Sequence, residues 1–577
     1  MKKLLLSACL GYLSVILLAQ LEHSFENQFK TPKEGPVSTR AFTLQNVAAS
    51  AGLNFRQNNF ATEKKYPFET LGGAVAVLDY DNDEALDLFF LNGSPSPEHI
   101  KSDPRSWNRL YRNSGKGAFV DVTEQAGLTG SGKKGYPQGV AVGDYDNDGF
   151  EDIYVTCYGD NILYHNNRNG TFTDVTAKAG VAMSANPFKA SACWVDIDND
   201  GFLDLFVTHY FQWTFKENSD DYCGDKKPGH RTYCTPDVFK PTANVLFTNN
   251  GDGTFTDISE KAGINKSLGK GMGVAIADYD NDGRMDIFVA NDKTPNFLYH
   301  NEGGGRFKEI ALEAGVSANE NGVMVSGMGC DFKDYNNDGL PDIFYTDLIK
   351  EAFTLFSNLG RGLFQDLTFP SNLGSLSAPH SGWSAKFADL DNDGWKDLLV
   401  AGSHVIDNVE LYDANARYQE PLFYYHNQGN GKFEDLSKSM GPDFQLIGAF
   451  RGLAVGDLDN DGNLEIVASR LNDAPVLFKK KDVTNNNWLL VQLRGTQSNR
   501  DAIGAKLKLT LVSGGNLYEH VTTANGIYSA SDKRVHFGLG QETRIVSLEI
   551  AWPSGRVQRV EEPKANQVLR VTEPLKR

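Results

Sequence analysis

One nine-residue pattern, Asp-x-Asp-x-Asp-Gly-x-x-Asp, occurs seven times, beginning at Asp79, Asp144, Asp196, Asp278, Asp334, Asp389 and Asp457. Carboxylates at positions 1, 3 and 5 can converge on one point when the backbone curls tightly. A glycine at position 6 permits the curl because it tolerates positive φ. Such oxygen sets suit a hard divalent cation. Calcium takes six to eight oxygens in flexible geometry, whereas magnesium demands a stricter octahedron and keeps its waters. A backbone carbonyl near position 7 and the acid at position 9 would complete the shell.

The candidate ligands are Asp79, Asp81, Asp83 and Asp87 in the first loop, and Asp144, Asp146, Asp148 and Asp152 in the second. The third offers Asp196, Asp198, Asp200 and Asp204, and the fourth Asp278, Asp280, Asp282 and Asp286. The fifth offers Asp334, Asn336, Asp338 and Asp342, the sixth Asp389, Asp391, Asp393 and Asp397, and the seventh Asp457, Asp459, Asp461 and Glu465. Glu84 stands where the first loop should have glycine, which predicts a strained or remodelled turn. Asn336 replaces an acid in the fifth. Up to seven calcium ions are expected, with the second, third, fourth and sixth loops the strongest sites. Seven would move the net charge from −18 to −4, so calcium should couple to folding.

An EF-hand would carry its acid at position 12 between helices. Here strands flank the loops. Before the motif comes an alternating run such as Gly139-Val-Ala-Val-Gly143, and after it a β-rich run such as Asp152-Ile-Tyr-Val-Thr156. A third run (Leu163-Tyr-His-Asn166, Leu246-Phe-Thr-Asn249, Leu298-Tyr-His-Asn301), a Gly-rich turn and a fourth (Phe172-Thr-Asp-Val-Thr176, Phe255-Thr-Asp-Ile-Ser259) follow. Four short strands joined by turns make a propeller blade. Seven units predict an all-β, seven-bladed β-propeller over about residues 42–482, with Ala-Gly pairs such as Ala126-Gly127 leading to the next blade. The seventh unit lacks a fourth strand. Leu44-Gln-Asn-Val-Ala48 supplies it, which would close the ring and protect two sheet edges.

Residues 486–575 are β-rich with Gly turns, fitting a small C-terminal β-sandwich-like domain. Arg494, Arg500, Lys506, Lys508, Lys533 and Arg534 make it more basic than the propeller; ordinary solvation of surface charge is the simpler reading, and docking on an acidic surface the other.

The chain has 577 residues, with 56 Lys+Arg against 74 Asp+Glu. That acidic balance argues against nucleic acid as a partner, since phosphate binding needs a basic surface. Met1-Lys2-Lys3 followed by an apolar run to Ala19 reads as a signal peptide or N-terminal anchor over 1–21, then a linker over 22–41. Lipidation at Cys9 is an alternative to cleavage. No later stretch is apolar enough to span a bilayer. The expected location is extracytoplasmic: secreted, periplasmic or envelope-anchored. Export makes a disulfide between Cys223 and Cys234 plausible.

These repeats resemble the FG-GAP (VCBS-type) repeats of integrin α-subunit propellers. The C-terminal region resembles the ASPIC/UnbV domain found with such propellers in the cartilage acidic protein family. Asn499-Arg-Asp-Ala-Ile-Gly-Ala505, Ser531-Asp-Lys-Arg-Val-His-Phe-Gly-Leu-Gly540 and Trp552-Pro-Ser-Gly-Arg-Val-Gln558 carry that second likeness. The resemblance implies extracellular calcium binding and a role in adhesion or recognition, with an extracellular or envelope protein or glycan as partner. It implies no defined enzymatic activity.

The longest insertions, about 92–108, 209–243 and 402–421, fall between second and third strands and should crowd the face opposite the aspartate loops. They carry Trp107, Tyr210, Phe211, Trp213, Phe215, Tyr222, Tyr233, Tyr412 and Tyr418, which either form a binding surface or pack as local cores. No Gly-x-Ser-x-Gly, His-Glu-x-x-His or Cys-His pairing is present. His165, His300 and His426 recur at one third-strand position, which reads as structural. Two alternatives to recognition remain: a polysaccharide- or sugar-active enzyme (lyase or hydrolase type) using the propeller channel, and a purely structural envelope component.

Overall fold

In the second repeat, Gly135–Gly143 pairs antiparallel with Asp152–Gly159, and then come Ile162–Asn166 and Phe172–Asp174. The first two strands are buried almost throughout, because sheets stack on both of their faces. This is a computed structural model describing residues 42–96, 98–183, 187–481 and 485–575. The N-terminal apolar run, Cys9 and the segment 22–41 lie outside the described residues.

Among the described residues this four-strand unit occurs seven times, six times as a separate four-stranded sheet and once, beginning at Val75–Leu78, within a six-stranded sheet, and the units form a propeller. Their innermost strands neighbour one another in turn: Val75–Leu78, Gly135–Gly143, Lys189–Val195, Gly271–Ala277, Cys330–Lys333, Gly382–Ala388 and Phe450–Gly456, the last returning to the first. Leu44–Asn46 pairs with Val476–Lys480 and forms the outer strand of the seventh sheet. Every end of the ring is thereby covered.

The Ala-Gly pairs end single helical turns. Thr123–Ala126, Thr176–Ala179, Ser259–Ala262 and Ala311–Ala314 each stop at a glycine with φ between 76° and 84°. The core lies between blades. The position-2 residue of a loop packs on the fourth-strand Phe of the next blade, as in Tyr80–Phe172, Tyr145–Phe255, Tyr279–Phe364 and Tyr335–Phe433.

The C-terminal region folds as two sheets. One contains Val535–Gly540, Asn487–Arg494 and Val568–Thr572; the other contains Asn516–His520, Lys506–Leu511, Ile545–Ala551 and Val557–Glu561. Their inner residues share one apolar cluster with Trp194, Leu203 and Met285 of the propeller. A hairpin from this region, Ala524–Asn525 and Ser529–Ala530, enters the propeller axis, and Ala530 pairs in parallel with Ala76. No described helix is long and apolar enough to cross a membrane.

Candidate metal centres

Each aspartate loop is held by its own carboxylates. The position-1 acid accepts from the amides of positions 5 and 6, as Asp144 does from Asp148 and Gly149 at 3.0 and 2.8 Å. The position-5 acid accepts from position 7, as in Phe150 N to Asp148 at 2.9 Å. The position-9 acid accepts from position 2 and from the third-strand Asn, as Asp152 does from Tyr145 and Asn166. The fifth loop curls the same way around Asp334, with Asn336 accepting from the Asp338 amide at 3.1 Å. Glu84 does not remodel the first loop. It takes φ 70°, and its amide still reaches Asp79 at 3.1 Å. The turn survives at a left-handed cost of about 1–2 kcal/mol.

The acids converge. Asp79, Asp81 and Asp83 place ligand atoms within 4.8 Å of one another, as do Asp144, Asp146 and Asp152. Burial drives six position-9 carboxyls upward: Asp87 to about 9, Asp152 and Asp286 to about 7, and Asp204, Asp342 and Glu465 well above the carboxylate range. Buried Asp144 rises to about 8 and Asp334 to about 7 for the same reason. Four shielded oxygens, Asp81 Oδ1, Asp196 Oδ1, Asp459 Oδ1 and Glu465 Oε1, have no hydrogen-bond donor. Desolvated, converging carboxylates with spare oxygen lone pairs fit a hard divalent cation, whose charge would favour their ionised forms.

Two sets of asparagines lock the loops into a ring, and sequence reasoning missed both. Position 4 is Asn in all seven loops, each with φ between 57° and 61°. Its side-chain amide donates to the position-6 carbonyl of the next loop: Asn82 to Gly149, Asn147 to Gly201, Asn199 to Gly283, Asn281 to Gly339, Asn337 to Gly394, Asn392 to Gly462 and Asn460 to Glu84. The circuit is complete. The third-strand Asn reaches the other way, to the position-2 carbonyl of the preceding loop: Asn113 to Leu458, Asn166 to Tyr80, Asn249 to Tyr145, Asn301 to Ile197, Asn358 to Tyr279 and Asn427 to Tyr335. The signal was in the sequence, in the invariant Asn of Asp-x-Asp-Asn-Asp and the Asn ending Tyr-His-Asn.

The third-strand residue before that Asn faces the acids. His165 lies 3.3 Å from Asp152, His300 3.2 Å from Asp286, and His426 2.9 Å from Asp397. This recurring position therefore borders the candidate centre, beyond the structural role the sequence assigned it.

The C-terminal domain sits on this loop face. Of its six singled-out basic residues, four engage the propeller. Arg500 Nε lies 3.8 Å from Asp144; Lys506 meets Asp278 at 2.5 Å; Lys533 meets Glu151 at 3.0 Å; and the Arg534 guanidinium donates to the Asp457 carbonyl at 2.6 Å. Solvation as the ordinary state of these charges is corrected for those four: the loops present more acid than they neutralise, and the domain brings the countercharge. Arg494 is exposed, and Lys508 lies over Tyr518.

The axial hairpin touches every blade. Val75 and Val455 amides donate to Ser529 and Ser531 hydroxyls, and the Val140 and Cys330 amides to the Tyr528 and Gly526 carbonyls. The Tyr528 and Ile527 amides donate to Ser191 and Ser384, and the Tyr528 hydroxyl lies 4.0 Å from Met272 Sδ. Ile527 and Tyr528 are fully buried. A Cβ at Gly526 would lie 2.3 Å from Ser384 Oγ, so only glycine fits.

On the opposite face the insertions pack mainly as a core. Phe68 stacks on Tyr158 at 5.0 Å and meets Trp213 at 5.6 Å, and Tyr210, Phe211 and Tyr233 are buried. Trp107, Phe215 and Tyr418 are half-buried; Tyr222 and Tyr412 are exposed. Cys223 and Cys234 form a disulfide in this region, and the three other described cysteines are buried and free.

A family model described as FG-GAP-like repeat matches residues 79–155, 144–207, 235–289, 278–345, 334–400 and 410–468, together more than half of the chain. A second, described as ASPIC and UnbV, matches 495–577. Among curated proteins the chain is similar to Cartilage acidic protein 1 of Mus musculus, 27% identical over 524 residues, covering 87% of this chain and 74% of the relative. It is also similar to Integrin alpha-4 of Xenopus laevis, 26% identical over 212 residues, covering 35% of this chain and 18% of the relative. Among solved structures it is similar to the BP39L lectin from Burkholderia pseudomallei, with 11% identity and a TM-score of 0.43, over 71% of this chain and 97% of the lectin. The repeats, their extent and the C-terminal match place the chain in one family: it belongs to the FG-GAP-like repeat proteins and carries an ASPIC and UnbV domain.

Proposed function

We propose that this protein is exported and binds calcium through its aspartate loops to act in extracellular recognition or adhesion. The observation that carries the reading is the repeated convergence of carboxylates at one face, many of them buried, with donor-less oxygens in the first, third and seventh sets. Calcium would be the structural ion: extracellular modules often bind it at roughly 10⁻⁴–10⁻³ M, near ambient supply. The similarity to a cartilage acidic protein and an integrin subunit supports the extracellular setting. The disulfide suits an oxidising compartment. Because the C-terminal domain covers the loop face, the insertion face and the rim are the surfaces left for a protein or glycan partner.

Catalysis in the axial channel has no support. The hairpin fills that channel from the loop side, and the insertion core packs over the other end.

The test is affinity capture from cell-envelope and matrix extracts with the full chain, in millimolar calcium and again in chelator. A partner retained only with calcium supports recognition. An empty capture in both conditions counts against it and favours a purely structural envelope component.

A further inference from the structure

The third-strand residue bordering each loop is not the same in every blade. It is Arg112, His165, Thr248, His300, Ser357, His426 and Lys479 in blades one to seven. Strand register places each opposite the position-9 acid, since the neighbouring pairs are Leu88 with Tyr111, Leu205 with Phe247, and Ile466 with Phe478.

Two of the seven are permanent cations, and both point into the loop. Arg112 Nε meets Asp81 at 2.6 Å and its Nη2 meets Asp83 at 2.8 Å. Lys479 Nζ is paired with Asp459 and lies 3.9 Å from Asp461 and 4.0 Å from Glu465. Arg112 thus takes the acids of positions 3 and 5, and Lys479 those of positions 3, 5 and 9, from the set that would otherwise surround an ion. The spare oxygens of the two loops belong to the same carboxylates: Asp81, Asp459 and Glu465. Asp196 of the third loop differs. It is 1% exposed, its Oδ1 has no donor, and no ion pair reaches any acid of that loop among the described residues. Thr248, a small neutral hydroxyl, stands where the cation would be.

We infer that the first and seventh loops are closed to calcium by Arg112 and Lys479, which occupy the position-3 acids as tethered substitutes for the ion, and that the protein takes five ions, in loops two to six; in the fourth loop Lys506 and Arg284 pair with Asp278 and Asp282, but among the described residues no lysine or arginine pairs with its position-3 acid Asp280 or with Asp286. The inference rests on the calcium reading of these loops. A divalent ion cannot share these carboxylates with a guanidinium or ammonium a few ångströms away without strong like-charge repulsion. The two closed loops are neighbours, on either side of the seam where the first and last strands of the propeller meet. Each of these loops then carries a countercharge of its own that does not depend on calcium.

The test is a direct count of bound calcium per chain, by metal analysis after equilibrium dialysis in millimolar calcium. The unsubstituted protein should hold five ions. Arg112→Thr and Lys479→Thr, each copying the third blade, should hold six, and the double variant seven. Thr248→Lys should lower the count to four. Both cationic side chains are partly exposed, so the variants should fold; a melting curve in calcium checks this, and Lys479→Met controls for loss of charge without a new oxygen. A count of six or seven in the unsubstituted protein, or an unchanged count in both Thr variants, overturns the inference while leaving calcium binding intact. A count of zero overturns the calcium reading and the inference with it.

Discussion

The side-chain amide of Asn460 donates to the backbone carbonyl of Glu84 at 3.0 Å, joining the seventh loop to the first. It is the seam member of the seven-bond asparagine circuit. Asn460 also receives Arg534 and holds φ 59°. Asn460→Ala should destabilise by about 1–3 kcal/mol, combining a lost hydrogen bond with the left-handed backbone cost. Asn460→Gly keeps the backbone and should cost less. Denaturant titration of the two variants separates the terms; equal stability of both with the parent would show that the circuit is ornamental.

Removing calcium should lower the melting temperature markedly. A ligand that binds only the folded state stabilises it by RT ln(1 + [L]/Kd), or about 2.7 kcal/mol per site at a hundredfold excess over Kd. Differential scanning calorimetry in calcium, in chelator, and in chelator with calcium restored should show a reversible shift. Superimposable melting curves, with the metal content verified, would contradict the proposed coupling.

Glu69 predicts a pH dependence away from the loops. Its side chain is fully buried, accepts from Thr62 at 2.7 Å and from Tyr233 at 3.3 Å, and burial outweighs these donors and Lys65, raising its pKa to about 7. The folded state therefore holds a proton that the unfolded chain releases near 4.5. Stability is highest below that value and falls as pH rises to about 7, by up to about 3 kcal/mol. Glu69→Gln should raise stability relative to the parent at pH 8 and change it little at pH 5. A gain of equal size at both pH values would refute the assignment.

Lys533 lies half-buried between the buried acids Asp501 at 2.5 Å and Glu151 at 3.0 Å, and both carboxylates hold its pKa well above that of a free lysine against the opposing effect of desolvation. Lys533→Met strands two buried acids and should cost about 3–5 kcal/mol. Ile527→Ala, at the tip of the axial hairpin, should cost about 2–5 kcal/mol through the cavity it leaves. Both should also loosen the C-terminal domain, read as faster release of that domain from the propeller in limited proteolysis. Unaltered digestion would mean the domain is held mainly elsewhere.

The strand plan was legible in the sequence because every blade repeats it: short apolar runs on either side of a loop with fixed glycine and acid positions, and a closing strand at Leu44–Asn46 recognisable by its fourth-strand pattern. The acids of each loop were legible for the same reason. Their neighbours were not. Position 4 read as a variable slot because its role, a bond to the next loop, lies 54 residues away in the case of Asn147 and Gly201. Arg112 and Lys479 looked like ordinary strand residues, since only folding brings a third strand back beside its loop. The axial hairpin left no local signature: Val140 and Tyr528 meet across almost four hundred residues, and nothing in Thr522–Ser531 announces a channel. Glu84 shows the reverse case, where a local rule predicts a changed turn and the surrounding ring enforces the common one.

The hairpin on the propeller axis has a consequence for the order in which the molecule can be completed. Leu477 donates to Asn46 across 431 residues, so the strand made first waits for the seventh sheet. At roughly 5–20 residues per second that wait is about 20–90 s. The ring then still lacks its axle, because residues 524–530 are made later again. Seven inner strands must stay near one another around an open hole until almost the whole chain exists. A truncated product ending before the hairpin would therefore be a wheel without a hub, exposing the surface on which all seven blades converge, and quality control would have one clear mark by which to recognise an unfinished chain.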